Sequence, residues 1–387
     1  METLDLRKLR SAAEKDSMLR LRLDLEPAGA GGLVYPPTYD QGQHIFRKAW
    51  VDGEVHDVVL LDSAQSQSNR IEMAILDAYR RGEIRYPDIV VKVNLPDGEE
   101  EYSVLELSHR VYDAALLQTV KDGRTFRETP IGKEIFEART DRASGLFRQA
   151  PITLVLGGWD SHSGGGPKTA KIQRAVTSEI IGLDAFPVSR GAVKADPMDI
   201  RKNAGPVFPS KDPKRRIELD VKEAADKKPK NPSDVGLGNV PSMEDRGATI
   251  RMAQQTSLIS LTAIRRLRFE DESDKYSVKR DNAGHTALAT LGLYGLLGQM
   301  EGGYALRSGC DLIPLKTPTI EIIGQSLSHV EPFEIDVSTA RLLLEESLDE
   351  AERLGLKWRE EPFQVEADDR LQELVRRSRI SKIGEEE

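Results

Sequence analysis

The sequence predicts an α+β fold, in which strands and helices follow one another without a strict βαβα alternation. Residues 17–26, SMLRLRLDLE, alternate apolar and charged side chains, as a half-buried strand does. Residues 284–300 are apolar on nearly every side, which is typical of a buried helix. The 387 residues show no repeat at a solenoid period and are too many for one compact core, so we expect two or three lobes.

Three further predicted strands and two predicted helices belong to the first half of the chain. Residues 58–61 read as a strand. The segment 60–78 overlaps its end and continues as a helix, with Asp62 or Ser63 as the N-cap. Residues 88–93 and 102–107 read as paired strands around a PDG turn, and residues 130–146 read as a helix.

A glycine-rich loop interrupts the next group of predicted elements. Ile152–Leu156 reads as a strand that runs into the loop at 157–171, and periodicity leaves residues 171–182 open between strand and helix. Order returns after an insertion, with a β segment at 249–269, the buried helix and a strand at 302–313. Helices are expected at 338–354 and 368–378.

Composition excludes several classes of protein. No apolar run approaches the roughly 18 residues that a membrane span needs, and the N-terminal residues lack the apolar core of a signal peptide. The lone cysteine, Cys310, cannot form an internal disulfide or a cysteine-rich zinc site. We therefore expect a cytoplasmic protein with no membrane partner.

Charge is segregated along the chain, although the formal net charge is −9. Residues 190–230 hold twelve Lys or Arg against seven Asp or Glu, an excess of five positive charges, which leaves −14 for the remainder. The acidic residues gather at 345–387. Residues 185–245 are rich in proline, glycine and lysine and are expected to form an exposed basic insertion.

The predicted helix at 60–78 has an apolar face and a polar face. Its first turns carry hydroxyls, amides and one arginine, with no neighbouring nucleophile–base pair. This favours holding an anion or a sugar–phosphate backbone over breaking a bond. An amphipathic helix with a solvated polar face is the alternative.

The glycine-rich loop is a second candidate anion site. Its glycines let backbone N–H groups approach a phosphate, and its lysines add positive charge. It has neither the spacing of a Walker A loop nor that of a nucleophile elbow. A flexible surface loop is the alternative.

Nothing in the sequence favours metal or cofactor chemistry, so we expect neither, and no catalytic residues. The six histidines are scattered, and none has the spacing of a metal site. Aromatic residues are only 5%, which favours a grip on phosphates and sugars over base stacking. Trp159, beside the loop, is one of the few candidate stacking residues.

These motifs resemble those of one known family. The segment LLDSAQSQSNRIE is similar to the E-S-A-Q-S-x-x-N-R-x-E signature of the RAMP-superfamily backbone subunit of type I-G (formerly I-U) CRISPR effector complexes, also called Cascade. The segments YPPTY, LVLGGWDSHSG, KIQRAVTSEIIG, VGLGNVPS and GGYALRSGCDL fit in the same order. Asp62 replaces the usual glutamate of the signature.

The resemblance implies a modified RRM-like (ferredoxin-like) palm with inserted helical and loop lobes and a thumb. The palm would comprise residues 17–184 and 246–337, the thumb would be the insertion at 185–245, and residues 338–387 would form an acidic helical segment. Such subunits are not enzymes. They polymerise in a helical filament along the CRISPR guide RNA and support recognition of the target DNA strand paired to it.

Further partners are implied by the same resemblance. These are the large subunit and the guide-processing subunit of Cascade, and a helicase-nuclease that is recruited to the complex. The resemblance also implies which residues contact the guide RNA. They are Ser63, Gln65, Ser66, Asn69 and Arg70 in the helix, Ser161, His162 and Lys168 in the loop, and Lys171 and Arg174 after it.

Two other functions compete with RNA binding. RAMP relatives in type III complexes cut target RNA with a backbone-subunit aspartate, and Asp160 would be that residue here. A small-molecule hydrolase would use Ser161 and His162, but the side chains of adjacent residues diverge and rarely orient each other as nucleophile and base.

Overall fold

A computed structural model describes residues 2–39, 42–96, 98–160, 171–188, 190–191, 196–200, 204–212, 215–238, 243–244 and 247–385. The chain divides into two compact units. The first comprises the residues up to Phe186 together with Thr249–Leu371, and the second comprises Pro187–Ala248 and the chain from Gln372 onwards.

The helices of the described residues differ widely in length. They are α1 (Leu6–Lys15), α2 (Ala64–Arg80), α3 (Ala114–Leu117), α4 (Pro130–Phe136), α5 (Ser144–Gln149), α6 (Ile152–Leu156), α7 (Leu261–Ile264), α8 (Val278–Glu301), α9 (Val337–Arg353) and α10 (Asp369–Glu385).

Most strands of the described residues are short. They are β1 (Glu2–Thr3), β2 (Met18–Pro27), β3 (Leu33–Val34), β4 (Phe46–Val51), β5 (Glu54–Asp62), β6 (Ile89–Leu95), β7 (Gly98–Ser103), β8 (Thr119–Lys121), β9 (Arg124–Thr125), β10 (Gly158–Trp159), β11 (Lys171–Ile172), β12 (Val176–Leu183), β13 (Phe186–Pro187), β14 (Arg190–Gly191), β15 (Phe208–Pro209), β16 (Ile217–Glu218), β17 (Met243–Glu244), β18 (Ala248–Thr249), β19 (Met252–Ser260), β20 (Tyr304–Arg307), β21 (Cys310–Pro314), β22 (Thr319–Ile323), β23 (Val330–Glu334) and β24 (Phe363–Ala367).

Four antiparallel strands form the centre of the first unit, in the spatial order β22–β2–β19–β12. In chain order these are the fourth, first, third and second strands, with α2 between the first two and α8 between the last two. This βαββαβ arrangement is that of a ferredoxin-like fold. Strands β5 and β4 extend the sheet beyond β12. The α+β prediction is confirmed.

The two elements that predicted the fold class form as expected. In β2, Leu19, Leu21, Leu23 and Leu25 are buried, because successive side chains of a strand point to opposite faces. Helix α8 is buried along most of its length, as its uniform apolarity predicts. It lies on the same sheet face as α2, since a Cβ at Gly292 would meet β12 and one at Gly295 would meet α2.

A second sheet of the first unit has the order β7–β6–β24–β8–β9. The predicted hairpin is confirmed as β6 paired with β7, but β7 comprises Gly98–Ser103, so only residues 102 and 103 of the strand predicted at 102–107 belong to it. Strand β24 pairs in parallel with β6 and so joins the C-terminal part of the first unit to this sheet.

Three predicted elements are wrong. Residues 302–313, predicted as one strand, form the antiparallel strands β20 and β21. Ile152–Leu156 is helix α6 instead of a strand; all five residues are buried, and a short apolar run has the same pattern in either structure. Gly157, with φ +82°, ends this helix. The helix predicted at 130–146 is split into α4 and α5 by a turn in which Arg139 and Arg142 form a β-bridge.

The structure also assigns residues 171–182, for which periodicity left strand and helix open, and revises the β segment predicted at 249–269. Residues 171–182 form strands, mainly β12. The β segment predicted at 249–269 is strand only to Ser260, whose side chain accepts a hydrogen bond from Ala263 N and starts the short helix α7.

The second unit contains most of α10 and, in its described residues between Pro187 and Ala248, only short elements. Strand β14 pairs with β17, and β15 pairs with β16. Few of its described apolar residues are buried, among them Val207, Phe208 and Val235, whereas Leu219 is 78% exposed. Among the described residues, no helix is both long and apolar enough to cross a bilayer.

Candidate nucleic-acid interface

The start of α2 is fixed by Ser63. Its side chain accepts a hydrogen bond from Ser66 N at 3.2 Å, and its own backbone is extended, as an N-cap requires. Of the two residues that could cap this helix, Ser63 does so.

Asp62, at the end of β5, has a different role. Its carboxylate is fully buried and accepts hydrogen bonds from four side chains. These donors are Ser66 Oγ at 2.8 Å, Gln67 Nε2 at 2.6 Å, Arg70 Nε at 3.0 Å and Arg307 Nη2 at 3.2 Å. One buried anion therefore orients three residues of the first turns of α2 and an arginine of β20.

Three of the predicted RNA-contact residues thus have structural partners. Ser63 and Ser66 bond within the helix start, and Arg70 donates to Asp62 and, through Nη2, to Leu306 O at 2.8 Å. The Arg70 side chain remains 33% exposed. Its contact with RNA stays a prediction, and the structure adds a bracing role.

Gln67 fixes α2 to the sheet, a role that sequence reasoning missed. Its Oε1 accepts from Ser178 Oγ at 2.7 Å, from Gln255 Nε2 at 2.9 Å and from Gln299 Nε2 at 2.9 Å. A largely buried hydrogen-bond network of this kind favours one arrangement of its elements. The polar face of α2 is therefore held in place from beneath.

A groove of about 420 Å³ lies beside the exposed face of α2. It brings Gln65 and Asn69, both predicted contacts, together with the predicted Arg174. We call it the cationic groove. It is lined by Gln65, Ser68, Asn69, Ser108, His109, Arg110, Tyr112, Gly158, Trp159 and Arg174.

Sequence reasoning missed one wall of the cationic groove. Ser108, His109 and Arg110 follow the turn after β7, and the first two are exposed. The run of a hydroxyl, an imidazole and a guanidinium was a visible signal. Arg110 has a φ of +54°, a left-handed conformation that is uncommon outside glycine and is found at functional sites.

The two arginines of the cationic groove lie near the buried carboxylate of Glu72, and Arg110 contacts it directly. Arg110 forms an ion pair with the buried Glu72 and donates through Nη1 to Gly157 O at 3.1 Å. Arg174 donates through Nε to Leu156 O at 3.2 Å. Burial raises the pKa of Glu72, and the nearby Arg110 and Arg174 oppose that rise.

The same cluster leaves positive charge in the groove. Burial and the neighbouring charge of Arg110 lower the pKa of Arg174, but an arginine remains protonated at neutral pH. In either protonation state of Glu72, two guanidinium groups face at most one carboxylate, so the three residues carry a net positive charge. A phosphate in the groove would meet this excess charge together with hydroxyl and amide donors.

A second groove, of about 660 Å³, runs along the other side of the same helix face. Ser66, Asn69, Arg70 and Arg81 line it, together with residues at the end of α8. Asn69 lines both grooves. The exposed side chains of α2 therefore lie between two concave surfaces.

The short β10–β11 hairpin carries the remaining predicted contacts. Lys171 pairs with Trp159 across the hairpin, and its Nζ lies 5.9 Å from the centroid of the Trp159 ring. Ser161, His162 and Lys168 lie outside the described residues.

Asp160, the residue suspected in the nuclease hypothesis, is buried. Its side chain is 2% exposed, and its Oδ2 accepts from Arg127 Nη2 at 2.9 Å. In the part of the chain that the structure describes, no cluster of three His, Cys, Asp or Glu residues is placed to hold a metal ion.

Residues 19–187 match the family model described as CRISPR-associated protein GSU0053 (Cas_GSU0053). The match covers somewhat less than half of the chain but includes α2 and every residue predicted to contact RNA. No curated protein matches the chain. The crystal structure of Thermofilum pendens Csc2 is similar at 10% identity and a TM-score of 0.31, covering 99% of this chain and 81% of that one. A similarity of this size does not establish a common fold.

Proposed function

We propose that the protein is a non-catalytic, RNA-binding backbone subunit of a type I CRISPR effector complex. Its match over residues 19–187 to a CRISPR-associated family carries this proposal. The ordered motifs of type I-G backbone subunits give the finer assignment. Copies of the chain would polymerise along the guide RNA and support pairing with the target DNA strand.

The cationic groove supports an electrostatic grip on RNA. Arg110 and Arg174 supply charge, while Gln65 and Asn69 supply neutral donors on a helix whose position is fixed by Asp62 and Gln67. Side chains that are already ordered lose little conformational entropy when they bind. Phosphate contacts of this kind position RNA without reading its sequence.

The assignment is tested by purifying the protein from cells that express the complete operon in which it is encoded. We expect the protein to copurify with RNA of defined length, with several copies of the chain on each RNA. Native mass spectrometry measures both quantities. A stable RNA-free monomer under these conditions would contradict the proposal.

The substitution Arg174→Gln tests the groove itself. We expect weaker binding to any RNA sequence and a log–log salt slope that is flatter by about 0.7 for the lost phosphate contact. Arg266→Gln is the matched control, since Arg266 is exposed, bonds to Gln173 Oε1 at 2.9 Å and does not line the groove. Fluorescence anisotropy at several salt concentrations measures both. An effect that depends on RNA sequence would argue against phosphate holding.

The nuclease alternative predicts that Asp160 is needed for cleavage of RNA. Metal-dependent cleavage of guide-matched RNA that is abolished by Asp160→Ala would favour it. Against it stands the burial of the Asp160 carboxylate, which is 2% exposed and is paired with the partly exposed Arg127. The ion pair with Arg127 gives Asp160 a structural role that does not depend on catalysis.

A further inference from the structure

Trp159 is a large aromatic side chain at the wall of the cationic groove. It is 62% exposed, whereas Trp358 is almost fully buried. It lines the groove together with His109, Arg110 and Arg174. An exposed indole beside two guanidinium groups combines an aromatic face with charge, which is the composition of a single-strand binding surface.

The backbone on the N-terminal side of Trp159 is held tightly. A Cβ added at Gly158 would lie 2.7 Å from Thr153 Cγ2 and 2.9 Å from Tyr112 Cε2, so only glycine fits between these side chains. Gly157 approaches the backbone of Arg174 nearly as closely, since a Cβ at Gly157 would lie 2.9 Å from Arg174 N. The two glycines thus bring the Trp159 backbone against the floor of the groove.

The residue after Trp159 is an anchor as well. Asp160 is buried and bonded to Arg127, whose guanidinium lies 4.3 Å from the centroid of the Phe136 ring. Neighbouring side chains of an extended segment point to opposite sides, so an inward Asp160 fixes an outward Trp159. The backbone therefore directs the Trp159 side chain outward before any ligand arrives.

Lys171 adds charge beside the ring. It is the residue opposite Trp159 in the hairpin, and its Nζ is 5.9 Å from the ring centroid. A base that stacked on the indole would bring its own phosphates among Lys171, Arg110 and Arg174. Base and phosphate would then be held by different parts of one surface.

We propose that Trp159 stacks on one unpaired nucleobase of a single-stranded RNA segment whose phosphates are held in the cationic groove. This inference rests on the proposed function. It adds one stacked base to the grip on phosphates and sugars that the composition favours. A duplex does not offer the flat face of a base, so the site selects single strands.

Binding of the full-length chain to two matched oligonucleotides tests the proposal. One is a single-stranded RNA, and the other has the same backbone with abasic riboses. We expect Trp159→Ala to weaken binding of the first about tenfold and to leave binding of the second unchanged. Trp159→Phe should recover most of the loss, because it restores an aromatic face.

Trp50→Ala is the matched control. Trp50 is 76% exposed on β4 and does not line the groove, so its removal should leave both affinities unchanged. Circular dichroism and thermal unfolding establish that each variant is folded. A Trp159→Ala variant that unfolds is replaced by Trp159→Leu, which keeps an apolar side chain but no aromatic face.

Tryptophan fluorescence gives an independent readout. The chain has three tryptophans, so a Trp50→Phe variant retains only Trp159 and the buried Trp358. RNA should quench the emission of this variant, and quenching should disappear when Trp159→Phe is added. The abasic strand should not quench the emission of either variant.

The two hypotheses fail in different ways. If RNA binds and Arg174→Gln weakens binding while Trp159→Ala does not, stacking is wrong and the proposed function stands. Equal losses on the normal and abasic strands would also overturn stacking. If the intact chain binds no RNA in any of these assays, both proposals are wrong.

Discussion

Asp62 determines how the polar residues of α2 are presented. It is a fully buried anion that accepts hydrogen bonds from two arginines, an amide and a hydroxyl. A buried carboxylate is tolerated only when it is paired and bonded in this way. Arg70 and Arg307 are each partly exposed beside it, so the charge that reaches solvent is positive.

Asp62→Asn should therefore destabilise the protein. An asparagine keeps the size of the side chain but removes the charge that both arginines face, at a cost of about 3 kcal/mol in the free energy of unfolding. Urea denaturation followed by circular dichroism measures this change.

Asp57→Asn on the same strand is the control for that substitution. Asp57 pairs with Lys48 at 2.8 Å, and both side chains are largely exposed. Its loss should cost less than about 1 kcal/mol, as is usual for surface ion pairs. Equal costs for the two substitutions would show that Asp62 is not a structural centre.

At the scale of elements, the packing of α8 against α2 depends on glycine spacing. A Cβ at Gly295 would lie 2.7 Å from Ile71 Cγ2, on the apolar face of α2. A Cβ at Gly298, one turn further along, would lie 3.4 Å from Ala74 Cβ, which is ordinary contact. The helix that carries the candidate site thus approaches α8 most closely at one residue.

The same substitution at these two glycines should have opposite effects. Gly295→Ala should lower the free energy of unfolding by about 1–2 kcal/mol, because overpacking outweighs the gain in helix propensity. Gly298→Ala should raise it by up to about 1 kcal/mol, because only the propensity gain applies. Thermal and urea unfolding of both variants measure the difference. A stabilising Gly295→Ala would show that the contact with Ile71 is not tight.

At the scale of the whole molecule, charge and apolar burial are distributed differently between the two units. The first unit holds the central sheet and nearly all of the buried apolar residues. Residues 190–230 hold an excess of five positive charges, and those of them that the structure describes contribute few buried side chains. A segment of this composition is suited to contacts with nucleic acid more than to a core.

Replacement of residues 190–230 by a short Gly/Ser linker should leave the first unit folded. The unfolding transition followed by circular dichroism should keep its midpoint, since few buried apolar side chains are lost. Assembly on guide RNA or pairing with target should be impaired, as electron microscopy and a target-binding assay would show. Global unfolding would mean that the segment belongs to a core, and unchanged assembly and pairing would argue against its role as a thumb.

Sequence patterns predicted those elements that are determined by residues close together in the sequence. The alternation in β2, the apolarity of α8 and the hydroxyl before α2 were each sufficient to identify a strand, a helix and a cap. The same reasoning failed for Ile152–Leu156, because burial on all sides removes the periodicity that distinguishes helix from strand. It also missed the break between α4 and α5.

The sequence by itself determined the α+β class, the polar face of α2, the segregated charge and the identity of residues that suit an anion. Only the tertiary structure decided which of them act together. Asp62 meets Arg307 and Glu72 meets Arg110 across long stretches of chain, and α2, the turn at Ser108 and the β10–β11 hairpin converge on one groove. Periodicity and spacing report on neighbours in sequence. Contacts made by packing are set by the whole fold.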